Sequence, residues 1–111
     1  MKVIRKRGDT RSIDATLKRA GKPIPLQGCT VEFFMEPVEM ARGQSIAGAA
    51  SVTDAVKGRV RYATQAGDVA NVGLHRAEFQ VTFQDGVIET FPNGDGGDPY
   101  LYIEIIEDLG G

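Results

Sequence analysis

Short runs of alternating apolar and polar residues, each closed by a turn, recur about every ten residues along this chain, and this spacing constrains the fold most tightly. A period of two places successive side chains on opposite faces of a strand, so each run describes a strand with one buried face. Ile13, Ala15 and Leu17 alternate with Ser12, Asp14, Thr16 and Lys18, and Arg19-Ala20-Gly21-Lys22 turns the chain. Pro23 and Pro25 bracket Ile24, which suits an edge segment leading to Leu26. Val31, Phe33 and Met35 then point one way and Glu32, Phe34 and Glu36 the other, until Pro37 ends the run.

The second half is clearer still. Val60 and Tyr62 alternate with Arg59 and Arg61, and Gln65-Ala66-Gly67-Asp68 reads as a turn. The strongest run is 74–83, with Ala77, Phe79, Val81 and Phe83 inward and Arg76, Glu78, Gln80 and Thr82 outward. Asp85-Gly86 separates it from Val87-Ile88-Glu89-Thr90-Phe91, and an Asp-Gly pair between alternating runs is a strong hairpin signal. Leu101, Ile103 and Ile105 close the pattern against Tyr100, Tyr102, Glu104 and Ile106. Residues 38–50 are the least legible: Met40 to Gln44 reads as a loop, and for Ile46 to Val52 a weak strand of small residues and a short helix both fit. Together these runs predict an all-β, immunoglobulin-like antiparallel β-sandwich of seven to eight strands.

With 111 residues there is room for one domain. The expected organisation is a basic N-terminal segment over 1–11, read as extended, followed by a single sandwich over 12–109. The charge divides accordingly. Residues 1–22 hold eight Lys/Arg against Asp9 and Asp14, a balance of +6, whereas 23–111 hold five Lys/Arg against thirteen Asp/Glu, a balance of −8. Such a division suits packing against copies of itself or a complementary neighbour. A nucleic-acid-binding arm fits less well, because the remainder is acidic and offers no groove of basic and aromatic residues. No apolar stretch approaches the roughly 20 residues that span a bilayer, and the basic start lacks the apolar run of a signal peptide. No membrane and no nucleic acid are therefore expected as partners.

Reactive chemistry is sparse. The single cysteine, Cys29, cannot form an internal disulfide or a cysteine-rich metal site, and its position beside an apolar run fits a small buried core thiol. His75 is the only histidine, which excludes a multi-histidine metal centre; at the start of the strongest strand it reads as a partly exposed structural residue. The stretch Asn93-Gly94-Asp95-Gly96-Gly97-Asp98 carries three oxygen-bearing side chains but not the spacing or closing glutamate of an EF-hand, so a plain inter-strand loop is the better reading than a calcium site. Neither a phosphate-binding glycine loop followed by Lys-Ser/Thr nor a Gly-x-Ser-x-Gly elbow occurs. No catalytic residue, cofactor or metal site is expected, and no enzymatic activity. More telling are Phe34, Tyr102 and Ile106, apolar residues at outward phase; gathered on one sheet they would form a contact patch.

The phrases Lys6-Arg7-Gly8-Asp9-Thr10-Arg11, Gly58-Arg59-Val60-Arg61-Tyr62, Gln65-Ala66-Gly67-Asp68 and Gly73-Leu74-His75-Arg76-Ala77-Glu78-Phe79 come in a characteristic order. Val81-Thr82-Phe83-Gln84-Asp85-Gly86, Glu89-Thr90-Phe91-Pro92-Asn93 and Tyr100-Leu101-Tyr102-Ile103-Glu104-Ile105 follow. From about residue 5 to 109 the chain resembles the immunoglobulin-like N-terminal domain of tailed-phage upper baseplate proteins (BppU-type), also found as a stand-alone small protein in phage and prophage genomes. The resemblance implies a non-enzymatic virion component, made in the host bacterial cytoplasm, that attaches one structural part to another as a baseplate, tail or neck adaptor. Capsid head decoration is the alternative within that setting. A carbohydrate-binding sandwich is a second alternative, disfavoured by the absence of Trp and by only three Tyr. The implied partners are other phage structural proteins of tail, neck or capsid, and copies of this chain in a symmetric assembly. The residues expected to carry the contact are Lys2, Arg5, Lys6, Arg7 and Arg11 of the basic segment, with Phe34, Tyr102 and Ile106.

Overall fold

A computed structural model describes residues 2–39, 45–92 and 100–109. The loop reading of 40–44 and the calcium reading of 93–98 lie outside these residues. Ten strands carry the fold: β1 (Lys2–Lys6), β2 (Ile13–Thr16), β3 (Lys18–Arg19), β4 (Lys22–Pro23), β5 (Thr30–Pro37), β6 (Ile46–Asp54), β7 (Arg59–Tyr62), β8 (Gly73–Thr82), β9 (Ile88–Phe91) and β10 (Leu101–Ile106). One 3-10 turn, Ala66–Val69, lies between β7 and β8. The chain is all-β, as its alternation predicts.

Seven strands follow one hydrogen-bonded path, β1-β10-β8-β5-β6-β7-β2, and β9 joins off it on the far half of β8 as the eighth strand of the sheet. The path folds over on itself at β6. Residues 46–50 pair with β5, whereas 51–54 pair with β7, with a bulge between Val52 and Asp54. Bulges increase local twist, which lets one strand serve two layers. The first layer is β1-β10-β8-β5 with β9 and the start of β6; the second is the end of β6 with β7 and β2. All pairs are antiparallel except β1 on β10, which is parallel.

The alternation read from sequence is the packing that forms. Val31, Phe33, Met35, Val60, Tyr62, Ala77, Phe79, Val81, Leu101, Ile103 and Ile105 are all buried. Phe33 is central: its ring stacks on Tyr62 at 4.3 Å and meets Phe79 at 5.1 Å. Opposite Phe33 stands Gly48, where a Cβ would lie 2.9 Å from Tyr62 Cε1. The glycine therefore makes room for the stacked rings. Gly48→Ala is expected to cost about 1–3 kcal/mol through overpacking, measurable by urea denaturation. The small residues around it form a full strand, which settles the choice between strand and helix for 46–52.

Turn chemistry sets the connections. Ala20 (φ 52) and Gly21 (φ 79) both take the left-handed conformation that a two-residue hairpin requires between β3 and β4. At Asp85-Gly86, Gly86 N donates to Phe83 O and Phe83 N to Val87 O, while Asp85 Oδ1 accepts from Val87 N. Arg19 reaches Glu89, tying the β3–β4 hairpin to β9.

Two single-residue expectations need correction. His75 is buried at 3% exposure, not partly exposed, with Nδ1 3.1 Å from Gly73 O. It faces inward because it is the partner of Ile103 and shares the phase of Ala77. Cys29 is only half-buried, packed against the core from the turn before β5. Burial, and then the nearby Asp85 carboxylate, push its thiol pKa up, which disfavours the reactive thiolate.

Candidate interaction surface

The outward face of the first layer carries most of the residues singled out by sequence. Backbone register aligns Lys2, Tyr102, Arg76 and Glu36 in one row across β1, β10, β8 and β5. Arg76 Nε donates to Glu36 Oε1 at 2.6 Å, and the guanidinium lies 5.3 Å from the Tyr100 ring centroid. That carboxylate holds the guanidinium above its ordinary pKa. Tyr100 meets Tyr102 edge to face at 6.3 Å. These contacts fix four long side chains on the sheet surface before any partner arrives, which reduces the ordering cost of binding.

Beside this row lies an apolar patch. Ile4 and Leu74 flank Glu104 in the next row, and Ile106 pairs with Lys6 beyond it. Ile4, Leu74 and Ile106 are 53%, 39% and 37% exposed, high values for large aliphatics on a sheet face. Tyr102 and Ile106 thus lie on the same face on either side of Glu104 along β10, with Ile4 and Leu74 on that carboxylate's other two sides. Leu74 shares the outward phase of Arg76 and could have been found on that count; Ile4 was hidden in a basic run. Phe34 lies on the same face but apart, two strands away. It sits in a groove of about 450 Å³ with Glu36, Ile46, Ala47, Arg76, Glu78 and Thr90 among its lining. Burial, and then the Glu36 carboxylate, raise the Glu78 pKa there.

The basic residues do not form one free cluster. β1 is a strand of the main sheet, and its charges interleave with acids. Lys2 pairs with Glu104 at 3.0 Å and Arg7 with Glu107 at 3.2 Å, while Arg11 pairs with Asp9 at 2.9 Å. Hydrogen bonds from the Arg11 side chain and backbone hold Asp9 below its ordinary carboxylate pKa. Arg5 Nη2 donates to Ser12 O at 3.0 Å. Of the five, only the Lys6 side chain forms no ion pair or hydrogen bond among the described residues.

One polar pair stiffens the top of the second layer. Tyr62 donates its hydroxyl to Asp68 Oδ2 at 2.6 Å, and the same carboxylate oxygen accepts from Gln65 N at 2.8 Å. Burial, then the Asp68 hydrogen bond, pushes the phenol up to about 12. A raised folded-state value means the neutral phenol is favoured by folding. Its contribution is complete below about pH 10, the ordinary tyrosine value, and is lost as pH rises through about 12. Tyr62→Phe is expected to cost about 1.5 kcal/mol at neutral pH and to flatten the alkaline limb of a stability–pH profile.

No group of three or more His, Cys, Asp or Glu placed to hold a metal occurs among the described residues, and no helix there is long and apolar enough to cross a membrane. Comparison with curated proteins gives no match. A family model does match: the BppU N-terminal domain, over residues 3–92. That span runs from within β1 through β9 and leaves only β10 of the ten strands outside it. The chain belongs to the BppU N-terminal domain family, a family of phage baseplate- and tail-associated structural proteins.

Proposed function

We propose that this protein is a non-enzymatic virion component that attaches to other phage structural proteins through the outward face of its first layer. The observation that carries this reading is the patch of Ile4, Leu74, Tyr102 and Ile106 on a sheet whose family is structural. Ile4, Leu74, Tyr102 and Ile106 surround Glu104, which Lys2 neutralises at 3.0 Å, so the face offers apolar side chains about one ion pair, with Arg76 at the border. Tyr102 and Arg76 are residue types that dominate binding energy at such contacts. The salt bridges within and beside the patch, Lys2–Glu104 and Arg76–Glu36, favour specificity over raw affinity. A baseplate or tail location is the reading the family supports, with the host cytoplasm as the site of synthesis.

The double variant Leu74→Glu/Ile106→Glu tests the surface. Both residues are already solvent-facing, so the folded state should survive with an unchanged circular dichroism spectrum. Particles assembled with it as the only source of the protein should lack the protein, and immunogold labelling of wild-type particles should decorate the tail end. Normal incorporation of the double variant would show that attachment uses another surface.

A further inference from the structure

Besides β9, which borders only the far half of β8, the first layer has two strand edges of opposite character. One is β1; the other is the first half of β6, residues 46–50, which pairs only with β5 before β7 joins at Ser51. Among the described residues neither edge has a second strand beside it. Unpaired edges usually carry charge, proline or a bulge that discourages further pairing. β1 fits that rule with Lys2, Arg5 and Lys6. Ile46-Ala47-Gly48-Ala49-Ala50 does not: it holds no charge and no proline, and the β6 bulge lies beyond it.

What lies behind the second edge is acidic. Ala47 and Ala49 point outward and are small, so a side chain from an added strand would pass over them to β5. There it meets Phe34, the partner of Ala47, and Glu32, the partner of Ala49. The groove adjoining Phe34 also holds Glu36 and Glu78, and its Arg76 is already engaged by Glu36. The Glu32 and Glu78 side chains form no ion pair or hydrogen bond among the described residues. The groove thus has carboxylate to spare, and the Lys6 side chain on β1 is a cation with no ionic partner among the described residues.

Direction matches as well. β1 is parallel to β10, and each step from β10 to β8, β5 and β6 is antiparallel. β1 therefore runs opposite to β6. Two copies standing side by side the same way up present these edges in antiparallel sense, with outward faces on the same side.

We propose that copies of this chain join edge to edge, β1 of one copy adding to Ile46–Ala50 of the next. Lys6 then lies beside Ala47 of its neighbour and reaches the Phe34–Glu36–Glu78 groove, while Ile4 lies beside Ala49. The contact is heterologous, so each added copy leaves both kinds of edge open until a ring closes. Pairing of β1 with β1 would oppose like charges, and pairing of β6 with β6 would lack the cation. The assembly goes beyond the attachment role proposed above and does not require it.

Native mass spectrometry and sedimentation of the full chain over a range of concentration and salt test this. The expected result is a series of oligomers that grows with concentration and weakens as salt rises. Lys6→Glu and Ala47→Lys should each weaken association about tenfold, with thermal midpoints showing that both variants fold. Lys6→Glu/Ala47→Lys in one chain should recover association, because the opposed charges are then exchanged. A chain that stays monomeric at about 1 mM, or oligomers indifferent to both substitutions, would overturn the proposal. Either failure would leave incorporation into particles untouched, so the two readings fail separately.

Discussion

Phe33→Ala is expected to destabilise the protein by about 3–5 kcal/mol, the largest loss from any single truncation in this core. The residue is fully buried at the middle of β5, where the two layers face each other. Its ring is held from both sides, by Tyr62 of the second layer and Phe79 of the first. Truncation removes the transfer energy of the ring and leaves a void that the rigid β5–β8 pairing cannot close. Tyr62 would also lose the surface on which it stacks, weakening its hold on Asp68. Domains of this size are typically stable by only about 5–15 kcal/mol, so the variant should be partly unfolded near physiological temperature. Urea denaturation gives the number directly. A loss below about 1.5 kcal/mol would mean that the core repacks freely and that the stacked rings do not hold the layers together.

Gly58→Ala is the second large effect, and its origin is the backbone. Gly58 has φ +66, and a Cβ there would lie 2.8 Å from both Leu17 O and Ile24 O. Those atoms are main-chain carbonyls and cannot rotate aside. Two hydrogen bonds run through the same point, Leu17 N to Gly58 O at 2.8 Å and Ile24 N to Leu17 O at 3.0 Å. An alanine in the left-handed region costs about 1–2 kcal/mol alone, and displacing the two bonds brings the expected loss to about 2–4 kcal/mol. Gly67→Ala is the matched control, since Gly67 has open space around its Cβ position and no left-handed φ. Parallel thermal melts should separate the two variants widely. Equal midpoints would contradict the close approach of the β6–β7 turn to the β3–β4 hairpin.

The alternating strands were legible because one face of each is buried, which forces a period of two into the sequence. Val31-Phe33-Met35 and Ala77-Phe79-Val81 show it plainly. The Asp85-Gly86 turn was legible because its backbone geometry demands those residue types. β6 was harder to read because two of its inward positions are the small Gly48 and Ala50, and Gly48 is fitted under Tyr62 instead of burying area. His75 looked exposed by residue type, although strand phase placed it inside.

The candidate surface divides along the same lines. Phase alone marks Phe34, Tyr102 and Ile106 as outward, and the structure brings two of them together with Ile4 and Leu74. Charge counting along the chain could not reveal that Lys2, Arg7 and Arg11 are matched by Glu104, Glu107 and Asp9. Two of those pairings join the two ends of the sequence through the parallel β1–β10 contact, which no local pattern encodes.

Quantitative mass spectrometry of purified phage particles from a strain carrying this gene decides whether the protein is part of the virion. The protein is expected in the particles at a fixed ratio to the tail or baseplate proteins. Its absence from particles, while the chain is abundant in the producing cells, would contradict a role as a virion structural component.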